Sequence, residues 1–202
     1  RVPEPPPQRP KRNLQIGAQQ SLNPEDRHDL ETLLEKLHVT GQKDQYQSSG
    51  NSLTLGVDRL QGQVQVTPQT GQHQPLLQVL LDVLHNTLGD NRFRCTTIRI
   101  DKNSVSKPHI MSSPVGPSLV MLLGSFKGGT FRSTDGTVSV SDPGILTVYN
   151  PRKTHVSEHF SGTRYAITYY YHVDTKELNK KDYDRLRCLL YTSPSPRDSG
   201  KS

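Results

Sequence analysis

Apolar residues recur along this chain in two rhythms, and the rhythm changes near Arg92. In Ser21 to His38 (SLNPEDRHDLETLLEKLH), Leu30, Leu33, Leu34 and Leu37 fall on one helical face. Asn23 can cap that helix, Pro24 suits its first position, and Glu25 and Asp26 favour the positive end of its dipole. Gln42 to Gly50 is polar and reads as a loop. Ser52 to Thr67 alternates in its second half and predicts a strand pair around Gln61-Gly62. Gln74 to Leu88 (QPLLQVLLDVLHNTL) predicts a second amphipathic helix, stopped by Gly89.

From Phe93 onward the helical spacing gives way to short β-rich runs separated by Pro, Gly, Asn and Asp. Eight are predicted: 93–100, 105–110, 118–123, 129–131, 137–141, 145–149, 154–157 and 164–173. Eight short strands after a helical preface point to an α+β chain with a small barrel or jelly roll and helices packed outside it. A flat sheet of this length would leave exposed edges.

Composition locates the polarity rather than changing this picture. The 202 residues are 31% hydrophobic and carry a net charge of +6; mean hydropathy is −0.70. No apolar run approaches the roughly 18–20 residues of a membrane span, and two Cys are too few for a disulfide scaffold. Residues 1–20 read as a basic, Pro-rich arm, whose first twelve residues hold five Pro, four basic groups and one acid. Such an arm could touch nucleic acid, although a solvated tail has the same composition. At the other end, CLLYTSPSPRD (Cys188 to Asp198) resembles one translated frame of a transposase sequencing adapter, so 188–202 is expected to be an artefact. Arm and tail together hold +4 of the +6, leaving +2 for the rest. Cys95 is then the only remaining Cys, which fits a reducing, cytoplasmic or nuclear, compartment. The expected organisation is an arm (1–20), supporting helices and hairpin (21–92), a β core (93–174), a C-terminal segment (175–187) and the tail (188–202).

The candidate chemistry lies in the β region. His109 stands at a strand end and His155 follows 46 residues later; two neutral imidazoles suit Fe(II), Zn or Cu. Arg164 lies nine residues beyond His155, and a tight turn around Ser161-Gly162 would place it on the neighbouring strand. Buried there, it would need an anionic partner, and its planar fork favours a carboxylate. His28, His38, His73, His85, His159 and His172 carry no such pattern, and Tyr169, Tyr170 and Tyr171 read as strand packing with rings alternating between core and solvent.

The phrases VSKPHI, GPSLVMLLGSFKGG and YNPRKTHVSEHFSGTRYAITYYYH, in that order, resemble the Fe(II)/2-oxoglutarate-dependent dioxygenases. The likeness is to compact algal and protist members and, more distantly, to the Tet/J-binding-protein group, over about 80 residues from Cys95 to Val173. It implies a double-stranded β-helix with N-terminal supporting helices. It also implies His109 and His155 as metal ligands, Arg164 as the group holding the distal carboxylate of 2-oxoglutarate, and Fe(II) and 2-oxoglutarate as cofactors. Gly128-Gly129 and Pro143-Gly144 match turns leading into strands.

The resemblance breaks at Met111, where active members carry Asp or Glu two positions after the first His. A thioether is neutral and soft, and Fe(II) prefers a hard anionic oxygen. The halide-using members of this superfamily carry a small residue there, which Met is not. A misread codon is awkward too, because both Asp codons differ from the Met codon at all three bases. Glu158, Asp142 and Asp101 are the nearby acids, none with ligand spacing. Two expectations follow: an oxygenase that hydroxylates or demethylates some substrate through an unusual ligand set, or a catalytically degenerate jelly roll acting as a ligand- or protein-binding module.

Overall fold

The computed structural model describes residues 14–39, 46–47, 49–89 and 93–190. Most of the expected arm and tail therefore lie outside the described residues. Along the chain the elements are β1 (Gln19–Ser21), α1 (Pro24–Glu35), β2 (Asn51–Leu60), β3 (Gln63–Val66), α2 (Pro68–Gln72), α3 (Gln74–Leu88) and β4 (Thr97–Lys102). They continue with β5 (Ser106–His109), β6 (Ser118–Gly128), β7 (Phe131–Ser133), β8 (Ser139–Val140), β9 (Ile145–Tyr149), β10 (His155–Ser157), β11 (Phe160–Tyr170) and α4 (Lys180–Leu190). A short 3-10 helix, Val173–Glu177, precedes α4.

The helices form where the apolar stripes and caps demand them. Asn23 accepts a hydrogen bond from the Asp26 N–H at 2.7 Å, and Pro24 opens α1. Helix α3 stops at Gly89, which takes a left-handed conformation and donates to the His85 carbonyl. Helix α1 ends three residues short of the expected His38, yet Leu37 is still buried against the same core. Helix α2 and the 3-10 helix were not legible, because five-residue polar turns have no apolar period. Helix α4 includes Cys188, Leu189 and Leu190 of the expected tail, and Leu186 and Leu190 pack on the core.

All strand pairs are antiparallel, and two sheets result. The larger has the order β1-β9-β6-β11-β4-β2-β3 and the smaller β5-β10-β7-β8. The β2–β3 hairpin turns at Gln61-Gly62, both with positive φ, and joins the larger sheet through β4. Period-two alternation gives the larger sheet two buried faces. Leu119, Met121 and Leu123 of β6 and Tyr165, Ile167 and Tyr169 of β11 meet Leu30 and Leu34 of α1 and Leu77, Leu80 and Leu84 of α3. Val120, Leu122 and Ala166 point the other way, toward Phe131, Val138, Val140 and Tyr149. There are thus two hydrophobic clusters, one under the helices and one between the sheets.

This layering corrects two expectations. Tyr169, Tyr170 and Tyr171 are all buried, because neither face of the sheet is left to solvent there. Ser161-Gly162 is not a turn but part of β11, paired with Lys127 and Phe126 of β6. Gly162 has φ +99, and a Cβ there would meet the Ser125 carbonyl at 2.3 Å, so close backbone approach explains this glycine. The chain instead crosses from the small sheet to the large one earlier, at 158–159, between β10 and β11.

No helix among the described residues is long and apolar enough to cross a membrane. The two thiols differ in environment: Cys95 is buried, with burial pushing its pKa up to about 12, and Cys188 is exposed. At pH 8 a thiol reagent is therefore expected to modify Cys188 at once and Cys95 only after denaturation. Equal native reactivity of the two would contradict this packing.

Candidate functional site

Strands β5 and β10 set His109 and His155 directly opposite each other, with ring centroids 4.5 Å apart. Each Nδ1 lies against a carbonyl two residues back: Lys107 at 2.6 Å for His109 and Lys153 at 2.8 Å for His155. A carbonyl can only accept, so in each neutral ring Nδ1 carries the hydrogen and Nε2 keeps the lone pair. This arrangement orients imidazoles as metal ligands. His155 is buried beside Phe131 and Tyr149, at 5.4 Å between centroids in both cases, and His109 stacks on Tyr46 at 4.6 Å. Burial pushes the His155 pKa below its ordinary value; the Lys153 carbonyl opposes this, and the His109 ring adds to it.

Arg164 occupies the same cavity from β11 and has no exposed surface. Its backbone is locked to the left-handed Asn103 residue: Arg164 N–H donates to Asn103 Oδ1 at 2.9 Å, and Asn103 N–H donates to the Arg164 carbonyl at 2.8 Å. The guanidinium donates from Nη1 to the Ser104 carbonyl at 3.2 Å and from Nη2 to the Ser157 hydroxyl at 3.5 Å. Its Nε is buried with no hydrogen-bond partner, and it makes no ion pair among the described residues. Burial lowers its pKa to about 10, with the Asp101 carboxylate in the same cavity pulling the other way, so it stays cationic at neutral pH. A buried cation with an open donor suits an anionic ligand.

Gly129 explains how the stem of Arg164 fits. It has φ +70, and a Cβ there would sit 2.9 Å from both Cδ and Nε of Arg164. Gly128 closes β6, and β7 begins at Phe131, so the Gly128-Gly129 turn leads into a strand. Pro143-Gly144 likewise turns into β9.

The other charges of the cavity are already matched. Arg99 Nε donates to Asp101 Oδ1 at 2.9 Å, and the same oxygen also accepts from Ser52 and Gln47. Asp101 is thereby engaged on its own strand. Glu158 pairs with Arg132, and Asp142 is exposed in the β8–β9 turn. Met111 lies just past β5, where its N–H donates to the Pro151 carbonyl at 2.8 Å, and it lines the cavity with both histidines. Among the described residues no three His, Cys, Asp or Glu side chains gather as a metal site. The residues therefore fit a carboxylate ligand at Arg164 but not the two-histidine, one-carboxylate cage for Fe(II).

The cavity has about 60 Å³ of water-accessible space, several times what a single water requires. Its apolar wall comes from Val120, Phe131, Tyr149 and Ala166. Of the residues singled out in the sequence, His109, Met111, His155 and Arg164 all converge here. Tyr46, Ser104 and Ser157 were missed, since their roles depend on cross-strand register and carry no local signal.

No family model matches the chain, and no curated protein matches it. Among solved structures, NgTET1 in complex with 5mC DNA aligns with a TM-score of 0.57 at 17% identity, covering 75% of this chain and 69% of that one. The fold is the double-stranded β-helix. Two weaker alignments are a 2OG-Fe(II) oxygenase family protein from Burkholderia pseudomallei (TM-score 0.49, 18% identity, 72% of this chain and 78% of that one) and a Pseudomonas putida prolyl-4-hydroxylase (0.45, 14%, 77% and 91%).

An unmatched buried charge has a thermodynamic signature. Arg164→Met keeps the stem that packs on Gly129 and Phe160 and removes the charge. The ligand-free variant is expected to be more stable than the parent by about 1 kcal/mol in denaturant titration. A clear loss of stability would show instead that Arg164 serves the fold.

Proposed function

We propose that this double-stranded β-helix is an oxygenase-like domain that binds 2-oxoglutarate and does not assemble the Fe(II) centre of active oxygenases. The observation that carries the reading is Arg164: a fully buried guanidinium, its Nε unpartnered, lining a cavity in which none of the described acids is ion-paired to it. The distal carboxylate of 2-oxoglutarate is the natural occupant, with the Ser157 hydroxyl beside it. The other end of the ligand would extend toward the histidine pair in the same cavity. Bound 2-oxoglutarate neutralises the buried cation, so binding stabilises the protein by mass action.

The ligand-binding alternative is preferred to catalysis because of the metal donors. The iron of an active oxygenase would supply dioxygen chemistry, but it needs an anionic oxygen ligand that Met111 cannot provide. Asp101, which lines the cavity, is ion-paired to Arg99, and Glu158 is ion-paired to Arg132. Nucleic acid is not part of the proposal: outside the arm and tail the net charge is only +2, and the DNA in the NgTET1 structure belongs to that protein.

Calorimetric titration of the full chain with 2-oxoglutarate is expected to show one site. Arg164→Gln should weaken it by roughly two orders of magnitude, the cost of removing one partner of a buried charged pair. Supplied with Fe(II), ascorbate and 2-oxoglutarate in air, the parent protein should release no succinate. Succinate released in proportion to enzyme and time would overturn the loss of the iron centre, and binding indifferent to Arg164→Gln would overturn the ligand site.

A further inference from the structure

The mismatch with Fe(II) has a positive side. His109, His155 and Met111 line one cavity and together offer two imidazole nitrogens and a thioether sulfur. Both imidazoles have Nδ1 committed to carbonyls, at 2.6 and 2.8 Å, which leaves both Nε2 lone pairs available. The rings are held by packing as well: His109 against Tyr46, and His155 between Phe131 and Tyr149.

We infer that His109, His155 and Met111 form a Cu(I) site. The first argument is ligand softness. A thioether is a poor ligand for Fe(II), Mn(II) or Mg(II), whereas thioether with imidazole suits Cu(I). The second argument is charge. All three donors are neutral, Phe131 and Tyr149 flank His155, and the buried Arg164 cation shares the cavity. A dication placed there would be repelled by Arg164, and the one carboxylate lining the cavity, Asp101, is already ion-paired to Arg99. A monovalent ion suffers much less from repulsion and desolvation alike, since solvation cost grows with the square of the charge. The third argument is coordination number. Cu(I) is satisfied by two or three ligands, whereas an octahedral hard cation would require further oxygen donors, and the nearby carboxylates are engaged.

The inference concerns the metal alone, and its test leaves 2-oxoglutarate out, so it stands or falls separately from the ligand site. Exposed Cys188 would capture Cu(I) by itself, so the full chain is used with Cys188→Ser. Anaerobic competition with a chromophoric Cu(I) chelator is expected to show one Cu(I) bound per chain. Met111→Leu, which keeps the bulk and removes the sulfur, should weaken Cu(I) binding by at least about tenfold. X-ray absorption at the copper edge should show a sulfur neighbour in the parent and none in Met111→Leu. Met111→Asp should exchange the preference, weakening Cu(I) and gaining Fe(II) binding, with folding of each variant checked by circular dichroism. Arg164→Gln, which adds no sulfur to the cavity, should retain Cu(I), which separates the metal site from the carboxylate site. Equal Cu(I) affinity in the parent and Met111→Leu would falsify the inference, as would Fe(II) binding as tightly as Cu(I) to the parent.

Discussion

Strand β11 is covered on both faces, and that single constraint shapes everything else. It pairs with β6 over ten positions and with β4 over six. Its residues 165, 167 and 169 pack under the helices, so 164, 166, 168 and 170 must face the cavity. Tyr165 and Tyr169 fix the register to the helix layer by donating to the Leu34 and Leu80 carbonyls, at 3.1 and 2.8 Å. A slip of one residue would put Arg164 among leucines. The strand thus holds a cation in an unfavourable place because apolar burial on either side of it holds the strand.

The histidines depend on the same frame. The small sheet packs on the large one through Phe131, Val138 and Val140 against Val120, Leu122, Tyr149 and Ala166. That contact brings the β5–β10 ladder over the inner face of β11. His109 and His155 then meet at one register position, and their orientation is completed by carbonyls of Lys107 and Lys153 on their own segments. The chemistry is divided between two sheets. The large one supplies the buried Arg164 guanidinium and the small one the two imidazoles, so a ligand spanning both would brace the two sheets together.

Met111 changes what this frame can do without changing the frame. It sits beyond the end of β5, where no ladder pairing depends on its side chain, and its backbone N–H is satisfied by Pro151. A carboxylate and a thioether are equally compatible with that backbone. They are not equally compatible with a given metal, because one adds a negative charge and the other adds none. In the proposed site, the identity of the ion would therefore be decided by this one side chain together with the Arg164 charge.

Much of this was legible in the sequence. The leucine stripes of α1 and α3, the Asn23 cap and the Gly89 stop are local rules, and they placed those helices to within a few residues. The eight β runs after Phe93 carried their turn residues with them; His109, His155 and Arg164 stood out by type and spacing, and Met111 by its departure from the pattern the chain resembles. The sequence could not determine the polar half of β6 and β11, read as loop and turn, because glycines at 124 and 162 interrupt the alternation and are explained only by close backbone approach across the pair. Nor could it show that Tyr169, Tyr170 and Tyr171 are all buried, since a period of two does not say whether both faces are covered. Local spacing names the side chains and their faces. Only tertiary structure decided which acids were already matched to Arg99 and Arg132 and left Arg164 with an open donor, because ion pairing depends on distance in space and not on distance along the chain.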